Sequence, residues 1–267
     1  MVDIHTHILP GIDDGAVNLE DSLRMARLAH ADGVSIIAAT PHAYWRSEIN
    51  DGVIIRRGVE EVNQVIREAA IPINVVPGCE VVMRRSTPEQ IAADPMWTIA
   101  GGRAYLLLEP PWGPLPDFCF DLISEISELG ITPIIAHPER SPDLQSNPSL
   151  IERMIEMGAM TQVTANSITG QHGGLARNIA LRLLQGGNVH VVASDSHNST
   201  NRSPILSAAR EEVRRLVGEE IARRLFEENP RQIVEGLPIS VMPAPDPVPA
   251  EERPGGIGGL FRKIIGR

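Results

Sequence analysis

Seven short runs of β-branched and aliphatic residues recur along the chain, and they constrain its fold more than any other sequence feature. Each run is continuously apolar rather than alternating, which is typical of parallel strands whose two faces are both covered. Helical patterns separate the runs, so strand and helix alternate throughout. The runs cover residues 2–5, 34–40, 73–77, 104–109, 131–136, 160–165 and 189–194.

This alternation predicts an α/β fold, and about seven βα units favour a (β/α) barrel, regular or irregular. An open doubly wound sheet is the alternative, but its G-x-G-x-x-G fingerprint is absent after the first run. In a barrel, the active site lies at the C-terminal ends of the strands. A chain of 267 residues is long enough for one such catalytic domain, which we expect over residues 1–242.

Four helix starts are predicted from capping residues. Asn18 precedes an acidic first turn, and the pairs Asn147-Pro148, Ser203-Pro204 and Asn229-Pro230 each place a capping residue before proline. Proline is favoured at the first helical position because its missing N–H would be unpaired there anyway.

Residues 243–267 differ in character from the rest of the chain. Residues 243–259 are dominated by proline, alanine, glutamate and glycine, which predicts a flexible linker. Residues 259–267 mix apolar and basic side chains, so they form either a disordered end or a short amphipathic peptide that contacts a membrane or a partner. No apolar run is long enough to span a bilayer, and no signal peptide precedes His5 and His7, so we expect a cytoplasmic protein.

Composition excludes several classes of function. The net charge of −10 disfavours nucleic-acid binding, which depends on lysine and arginine replacing counterions. Two cysteines, Cys79 and Cys119, are too few for a disulfide framework or a thiolate zinc site. The only lysine is Lys263, which excludes a Schiff-base aldolase, a lysine-containing phosphate loop and a lysine-derived bridging ligand.

Side chains that can bind metals follow nearly every predicted strand at or just beyond its C-terminal end. Imidazole and carboxylate without thiolate suit manganese, iron, zinc or related ions. The candidates are too numerous for one four-coordinate ion, so two or three metals are expected. They are His5, His7, His42, Glu80, Glu109, His137, Asp195 and His197. In contrast, His30, His172 and His190 lie in a helix, a loop and a strand, and we assign them no ligand role.

The motifs around these residues resemble those of the polymerase-and-histidinol-phosphatase (PHP) superfamily. They are Asp3-Ile4-His5-Thr6-His7, Asp13-Asp14-Gly15, Thr40-Pro41-His42, Gly78-Cys79-Glu80, Glu109, Ala136-His137-Pro138-Glu139-Arg140 and Ser194-Asp195-Ser196-His197-Asn198. Within the superfamily, they are most similar to the bacterial tyrosine-protein phosphatases of capsule and exopolysaccharide operons. The resemblance extends from Val2 to about Val234.

This resemblance implies a distorted (β/α)7 barrel with three divalent metal ions, commonly Mn2+, with Fe, Zn, Co or Mg as alternatives. The implied ligands are His5, His7, Asp14, His42, Glu80, Glu109, His137, Asp195 and His197. Asp14 and Glu109 favour the tyrosine phosphatases, since many other phosphatases of the superfamily carry histidine there. Asp13 could replace Asp14 as the ligand, but the family pattern favours the second of the pair.

Arg140 and Arg202, three and five residues after His137 and His197, match phosphate-binding arginines of the family. A guanidinium group is a planar, permanently charged fork for phosphate oxygens. The implied reaction is direct hydrolysis of a phosphomonoester by metal-activated water, with the arginines balancing phosphate charge.

The implied substrate is a phosphotyrosine protein, namely a bacterial tyrosine autokinase at the inner membrane that regulates polysaccharide assembly. The phosphatase would then lie at that membrane only peripherally, through the kinase or its own C-terminal tail, and a homo-oligomer remains open. Alternatives are a small-molecule phosphatase acting on histidinol phosphate or a sugar phosphate, a non-catalytic metal-binding regulator, and a polymerase-associated nuclease. Cys79 and Arg85 match the C-x5-R spacing of thiol-based phosphatases, but the intervening residues lack the glycines of a phosphate loop.

Overall fold

The computed structural model describes residues 1–45 and 48–239, and each of the seven apolar runs contains a β-strand. The strands are β1 (Val2–Thr6), β2 (Ile36–Ala39), β3 (Tyr44–Trp45), β4 (Glu48–Ile49), β5 (Asn74–Pro77), β6 (Glu80–Val82), β7 (Tyr105–Glu109), β8 (Thr132–Ala136), β9 (Met160–Thr164) and β10 (Val191–Ala193). Strands β3, β4 and β6 were not predicted. The expected tail, residues 243–267, lies outside the described residues.

Helices fill most of the connections between the strands. They are α1 (Leu19–Ala31), α2 (Gly52–Glu68), α3 (Thr87–Ala93), α4 (Cys119–Glu128), α5 (Pro142–Ser146), α6 (Ser149–Glu156), α7 (Ala165–Ile168), α8 (Gly174–Gln185), α9 (Ser207–Val217), α10 (Glu219–Arg223) and α11 (Asn229–Glu235). Within the described residues, no helix is both long enough and apolar enough to cross a membrane.

Parallel pairing organises the strands into two sheets, which confirms the α/β class. The first sheet has the order β1-β2-β5, and the second has the order β10-β9-β8-β7-β6. Strands β3 and β4 form a separate antiparallel pair. Two isolated β-bridges connect the two larger sheets. One joins Thr6 to Ser196, and the other joins His42 to Glu80.

Burial on both faces explains why the strands are continuously apolar. Within β7, Leu106 and Leu108 belong to the larger buried cluster, together with residues of the surrounding helices. Leu107, between them, belongs to a smaller cluster that also contains Ile4 and Ile134 from β1 and β8. Successive side chains of a strand point to opposite faces, so each sheet is covered on both sides.

The predicted helix starts are only partly correct. Asn18 caps α1 as expected, because its side chain accepts a hydrogen bond from the Asp21 N–H. The prediction at Ser203-Pro204 is wrong, since α9 begins at Ser207. Helix α11 begins at Asn229-Pro230 as predicted, but Asn229 is its first residue rather than its cap. A π-helical turn at residues 224–228 leads directly into α11, and the Asn229 side chain donates to the carbonyl oxygen of His190. The prediction at Asn147-Pro148 is close but not exact, because α6 starts at Ser149 and Pro148 occupies the cap position.

Candidate metal centre

Parallel strands present their C-terminal ends on the same side, and there the candidate residues meet. His5 lies in β1, Glu109 ends β7, and His7, His42, His137, Asp195 and His197 follow β1, β2, β8 and β10. Glu80 starts β6, with only two residues between it and the end of β5. A cavity of about 70 Å³ is lined by Asp14, His42, Glu80, Glu109, Trp112, His137, Arg140, Asp195, His197 and Arg202. The completely buried His5 and His7 contact Glu80 and Asp195 below it.

Glu80 is at the centre of the cluster. Its Oε2 atom lies 3.4 Å from His5 Nε2, 3.3 Å from His7 Nε2 and 3.1 Å from His42 Nδ1. Its Oε1 atom lies 2.8 Å from His137 Nε2. A carboxylate placed between four imidazoles in this way is suited to bridging metal ions.

Asp14 joins the cluster from the loop after β1. Its Oδ1 atom lies 3.5 Å from His42 Nε2 and 3.3 Å from His197 Nε2. Three groups of donor atoms each lie within 4.8 Å of one another: His7 with Asp14, His42 and His197; His5 with His7 and Glu80; and His42 with Glu80 and Glu109. Because the groups share members, the arrangement offers adjacent rather than isolated cation sites.

The charges of the cluster fit bound cations. Glu80, Glu109 and Asp195 are almost completely buried, and burying carboxylates together is costly unless positive charge compensates them. Burial, reinforced by the charge of Glu80, raises the pKa of Glu109 to about 9. For Asp14, desolvation favours the neutral form, but the hydrogen bond and charge of His197 lower its pKa to about 2. Without cations, Glu109 is therefore the carboxyl group of the cluster that stays protonated near neutral pH, whereas Asp14 is ionised.

Hydrogen bonds behind the histidines orient two of them. His7 Nδ1 donates to Asp13 Oδ2 at 2.8 Å, and His5 Nδ1 donates to Gln162 Oε1 at 2.9 Å. Both bonds place the proton on Nδ1 and leave Nε2 facing the cluster. Histidines that bind metals commonly donate their other ring N–H to a hydrogen-bond acceptor in this way. Asp13 also accepts from the Gly15 and His42 N–H groups, so its contacts are those of a supporting residue.

Sequence reasoning missed Gln162, which lies in β9. The available signal was a long polar side chain in the middle of a predicted buried strand. The structure shows that this side chain is completely buried. Its amide oxygen also lies 3.4 Å from the backbone N of His137. Gln162 thus supports candidate ligands from two different strands.

Arg140 and Arg202 converge on Asp195. Each guanidinium donates to Asp195 Oδ2, Arg140 through Nη1 and Arg202 through Nη2 at 2.9 Å. The backbone φ angles of His137 and Asp195 are 31° and 52°. A left-handed conformation costs a non-glycine residue about 1–3 kcal/mol and is typical of functional sites.

Trp112 is another cavity residue that sequence reasoning missed. It follows Glu109 in the loop after β7, and 59% of its surface is exposed. Its ring is stacked at 23° to that of His137, with centroids 6.2 Å apart. The Cζ atom of Arg140 lies 5.3 Å from the Trp112 centroid. Its sequence signal was a tryptophan in a proline-rich loop directly after a candidate ligand.

Cys79 and Arg85 do not form a thiol-based site. Cys79 is completely buried, and its Sγ lies 3.0 Å from the carbonyl oxygen of Pro41. Burial, with the charges of Asp13 and Glu80, raises the pKa of the Cys79 thiol well above its usual range. The guanidinium of Arg85 lies over the Phe118 ring, 4.4 Å from its centroid.

Four histidines lie outside the three donor groups: His137, which contacts Glu80 Oε1, and the three that were assigned no ligand role. His30 is exposed in the last turn of α1. His172 lies 3.2 Å from Ser167 Oγ, and His190 accepts from the Thr161 N–H directly before β10. None of these three belongs to a donor group, although the charges of Arg140 and Asp195 act on His172.

Comparisons with known proteins agree with this arrangement. Residues 1–235 match the family model described as capsular polysaccharide synthesis, CpsB/CapC. Tyrosine-protein phosphatase YwqE of Bacillus subtilis is 35% identical over 203 residues, covering 76% of this chain and 80% of YwqE. Tyrosine-protein phosphatase CpsB of Streptococcus pneumoniae is 29% identical over 223 residues, covering 82% of this chain and 91% of CpsB.

A solved structure extends the likeness to three dimensions. It comes from a study of B. subtilis YwqE and S. pneumoniae CpsB, described as unique metal-dependent tyrosine phosphatases. The match has a TM-score of 0.87 at 32% sequence identity, and it covers 93% of this chain and 100% of the solved chain.

Proposed function

The chain belongs to the CpsB/CapC family of capsular polysaccharide synthesis, and we propose that it is a metal-dependent protein-tyrosine phosphatase. Its relatives in B. subtilis and S. pneumoniae are named tyrosine-protein phosphatases. The observation that carries the proposal is the convergence, around one cavity, of an imidazole–carboxylate cluster with Arg140 and Arg202. Such a cavity combines groups that hold cations with groups that bind phosphate.

The arginines hold the phosphate in this proposal. Each donates to Asp195 through one terminal nitrogen, so the rest of each fork remains to bind phosphate oxygens. Asp195 thereby fixes both guanidinium groups beside the cluster. Divalent cations bound there would neutralise phosphate charge and activate water near neutral pH. The leaving phenolate, with a pKa of about 10, needs less protonation than an alkoxide.

The finer details belong to the same proposal. We assign as ligands His5, His7, Asp14, His42, Glu80, Glu109, His137, Asp195 and His197, holding three ions, with Mn2+ preferred. The three groups of donors, which share His7, His42 and Glu80, support more than one ion. A distorted seven-unit barrel is supported by the two bridges between the sheets and by the short Gly78-Cys79 link between β5 and β6.

The biological setting is proposed from the family alone. The substrate would be a phosphotyrosine protein, namely a tyrosine kinase at the inner membrane that regulates capsule or exopolysaccharide assembly. The enzyme would act from the cytoplasm, and residues 243–267 would form its tail.

The test measures phosphate release from a phosphotyrosine peptide, the matching phosphoserine peptide and histidinol phosphate. Each is assayed with chelator and again with Mn2+ restored. We expect Mn2+-dependent release with the highest kcat/KM for phosphotyrosine. Activity confined to histidinol phosphate would contradict the proposal. Metal binding without hydrolysis of any substrate would instead indicate a regulator.

A further inference from the structure

Trp112 supplies the only non-ionisable side chain among the described residues that line the cavity. The other nine are histidines, carboxylates and arginines. We propose that the Trp112 indole is an aryl-binding subsite, which holds the phenyl ring of phosphotyrosine while Arg140 holds its phosphate. This inference rests on the proposed phosphatase function and adds the residue that distinguishes an aryl from an alkyl phosphate.

The exposure of Trp112 supports a binding role. An indole that is 59% exposed forgoes much of the free energy that burial of such a large apolar side chain provides. Among the exposed large hydrophobic side chains of residues 1–44 and 49–239, Trp112 is the only aromatic one. Because Trp112 lines the cavity, the aromatic ring of a bound substrate would cover the exposed indole.

The loop that carries Trp112 is built to hold it in place. Prolines occupy positions 110, 111, 114 and 116, which restricts the backbone on both sides of the tryptophan. The Leu115 N–H donates to Asp143 Oδ2 at 2.7 Å, anchoring the loop to α5. Glu109 anchors the other end in β7. A preordered aromatic surface loses little conformational entropy when a ligand stacks on it.

Two residues of the cavity lie next to the Trp112 indole, so a phosphate group bound in the cavity would lie beside the indole. One is His137, whose ring is nearly parallel to the indole, and the other is Arg140, whose Cζ atom is 5.3 Å from the indole centroid. A phosphate held by Arg140 would therefore carry its phenyl group towards the indole. Offset or edge-to-face aromatic pairs form at centroid separations of about 4.5–7 Å.

Trp112 could instead serve only to position Arg140 through its cation–π contact. The two roles differ in which substrates they affect. A positioning role would weaken hydrolysis of every phosphate ester equally, because all of them need the arginine. An aryl subsite would affect only substrates with an aromatic ring.

The experiment compares the wild type, Trp112→Phe, Trp112→Leu and Trp112→Ala with Mn2+ present. Substrates are a phosphotyrosine peptide, phenyl phosphate and glycerol phosphate. We expect Trp112→Ala to raise KM for both aryl substrates by about 3- to 10-fold, the range of an aromatic pair, without changing kcat/KM for glycerol phosphate. Trp112→Phe should restore most of the loss, and Trp112→Leu should restore less. Leu175→Ala, which also truncates an exposed apolar residue, is the control and should change nothing.

The outcomes separate this inference from the proposed function. An equal loss of kcat/KM for aryl and alkyl substrates would overturn the aryl subsite and leave the phosphatase assignment intact. Unchanged KM values for both aryl substrates in Trp112→Ala would overturn it as well. If the wild type hydrolyses no aryl phosphate with Mn2+, the proposed function itself fails.

Discussion

Gly15 lies where the loop that carries Asp14 passes against the backbone of His7. A Cβ atom at position 15 would lie 2.1 Å from the carbonyl oxygen of His7 and 2.5 Å from its Cβ. The Ala16 N–H also donates to that same carbonyl oxygen at 2.9 Å. No side chain fits at this position unless the loop moves away from β1.

Gly15→Ala should therefore displace Asp14 from His42 and His197. We expect kcat/KM for a phosphotyrosine peptide to fall about 100-fold, since a shift of about 1 Å in a positioned group can have that effect. Metal content per chain, measured after gel filtration, should fall too. The matched control is Gly174→Ala, where a Cβ meets nothing within 4 Å. Full activity and metal content in Gly15→Ala would contradict this account of the loop.

His190 gives the chain a measurable dependence of stability on pH. Burial lowers its pKa from 6.5 to about 4. The unfolded chain therefore binds a proton at His190 below about pH 6.5. The folded chain binds this proton only below about pH 4. Stability falls as the pH decreases through this window, by about 3 kcal/mol in all at 1.36 kcal/mol per pKa unit.

His190→Asn should remove this part of the pH dependence. An asparagine oxygen can replace Nδ1 as the acceptor for the Thr161 N–H, which lies 3.1 Å away. Urea unfolding of wild type and variant, both with chelator, should give free energies whose difference changes between pH 7 and pH 4.5. A difference that is constant over this range would show that His190 does not titrate as proposed.

Individual residues of the site differ in how much the sequence reveals of them. Histidines and carboxylates at strand ends are visible because the topology of a parallel fold brings those ends together. Gln162 and Trp112 were not found, since a glutamine in a strand and a tryptophan in a loop have many structural uses. Their roles depend on which candidate ligand each one contacts.

Helix α9 shows why one element start could not be predicted. Ser203 and Pro204 provide the local signal, but the cap comes from Asp32, just beyond the end of α1. Asp32 Oδ2 accepts from the Leu206 N–H at 2.7 Å and the Ser207 N–H at 2.9 Å, and Oδ1 accepts from the Ser207 hydroxyl. A cap supplied from 174 residues away leaves no local pattern.

Asp32→Ala should lower the free energy of unfolding by about 1–2 kcal/mol, because it leaves the first N–H groups of α9 without this acceptor. Urea denaturation checks the value. Asp32→Asn keeps an acceptor oxygen and should recover part of the loss. Catalysis should not change, since Asp32 lies outside the cavity. Equal stability of wild type and Asp32→Ala would show that water replaces the cap at no cost.

At the scale of the whole molecule, seven of the ten described strands were predictable, but β3, β4, β6 and the way the two larger sheets meet were not. Seven apolar runs gave seven strands, because burial on both faces leaves a continuous pattern. The junctions, Thr6 with Ser196 and His42 with Glu80, are single bridges with no sequence signature. Both lie within the candidate metal centre or beside it, since His42 and Glu80 are themselves candidate ligands.

Metal removal should therefore loosen the junctions between the sheets before it affects the rest of the fold. In the described part of the chain, four backbone amides cross them: His7 N to Ser196 O at 2.8 Å, Asp195 N to His5 O at 2.9 Å, Ala43 N to Glu80 O at 2.8 Å and Glu80 N to Pro41 O at 2.9 Å. Adding chelator should speed hydrogen exchange at these amides, while those between β7 and β8 serve as the internal reference. Restoring Mn2+ at 100 times its Kd should add about 2.7 kcal/mol of stability per ion. Uniform exchange changes across both sheets would mean that the ions stabilise the fold without bridging its two halves, and the ligand assignment from β1 to β10 would then have to be revised.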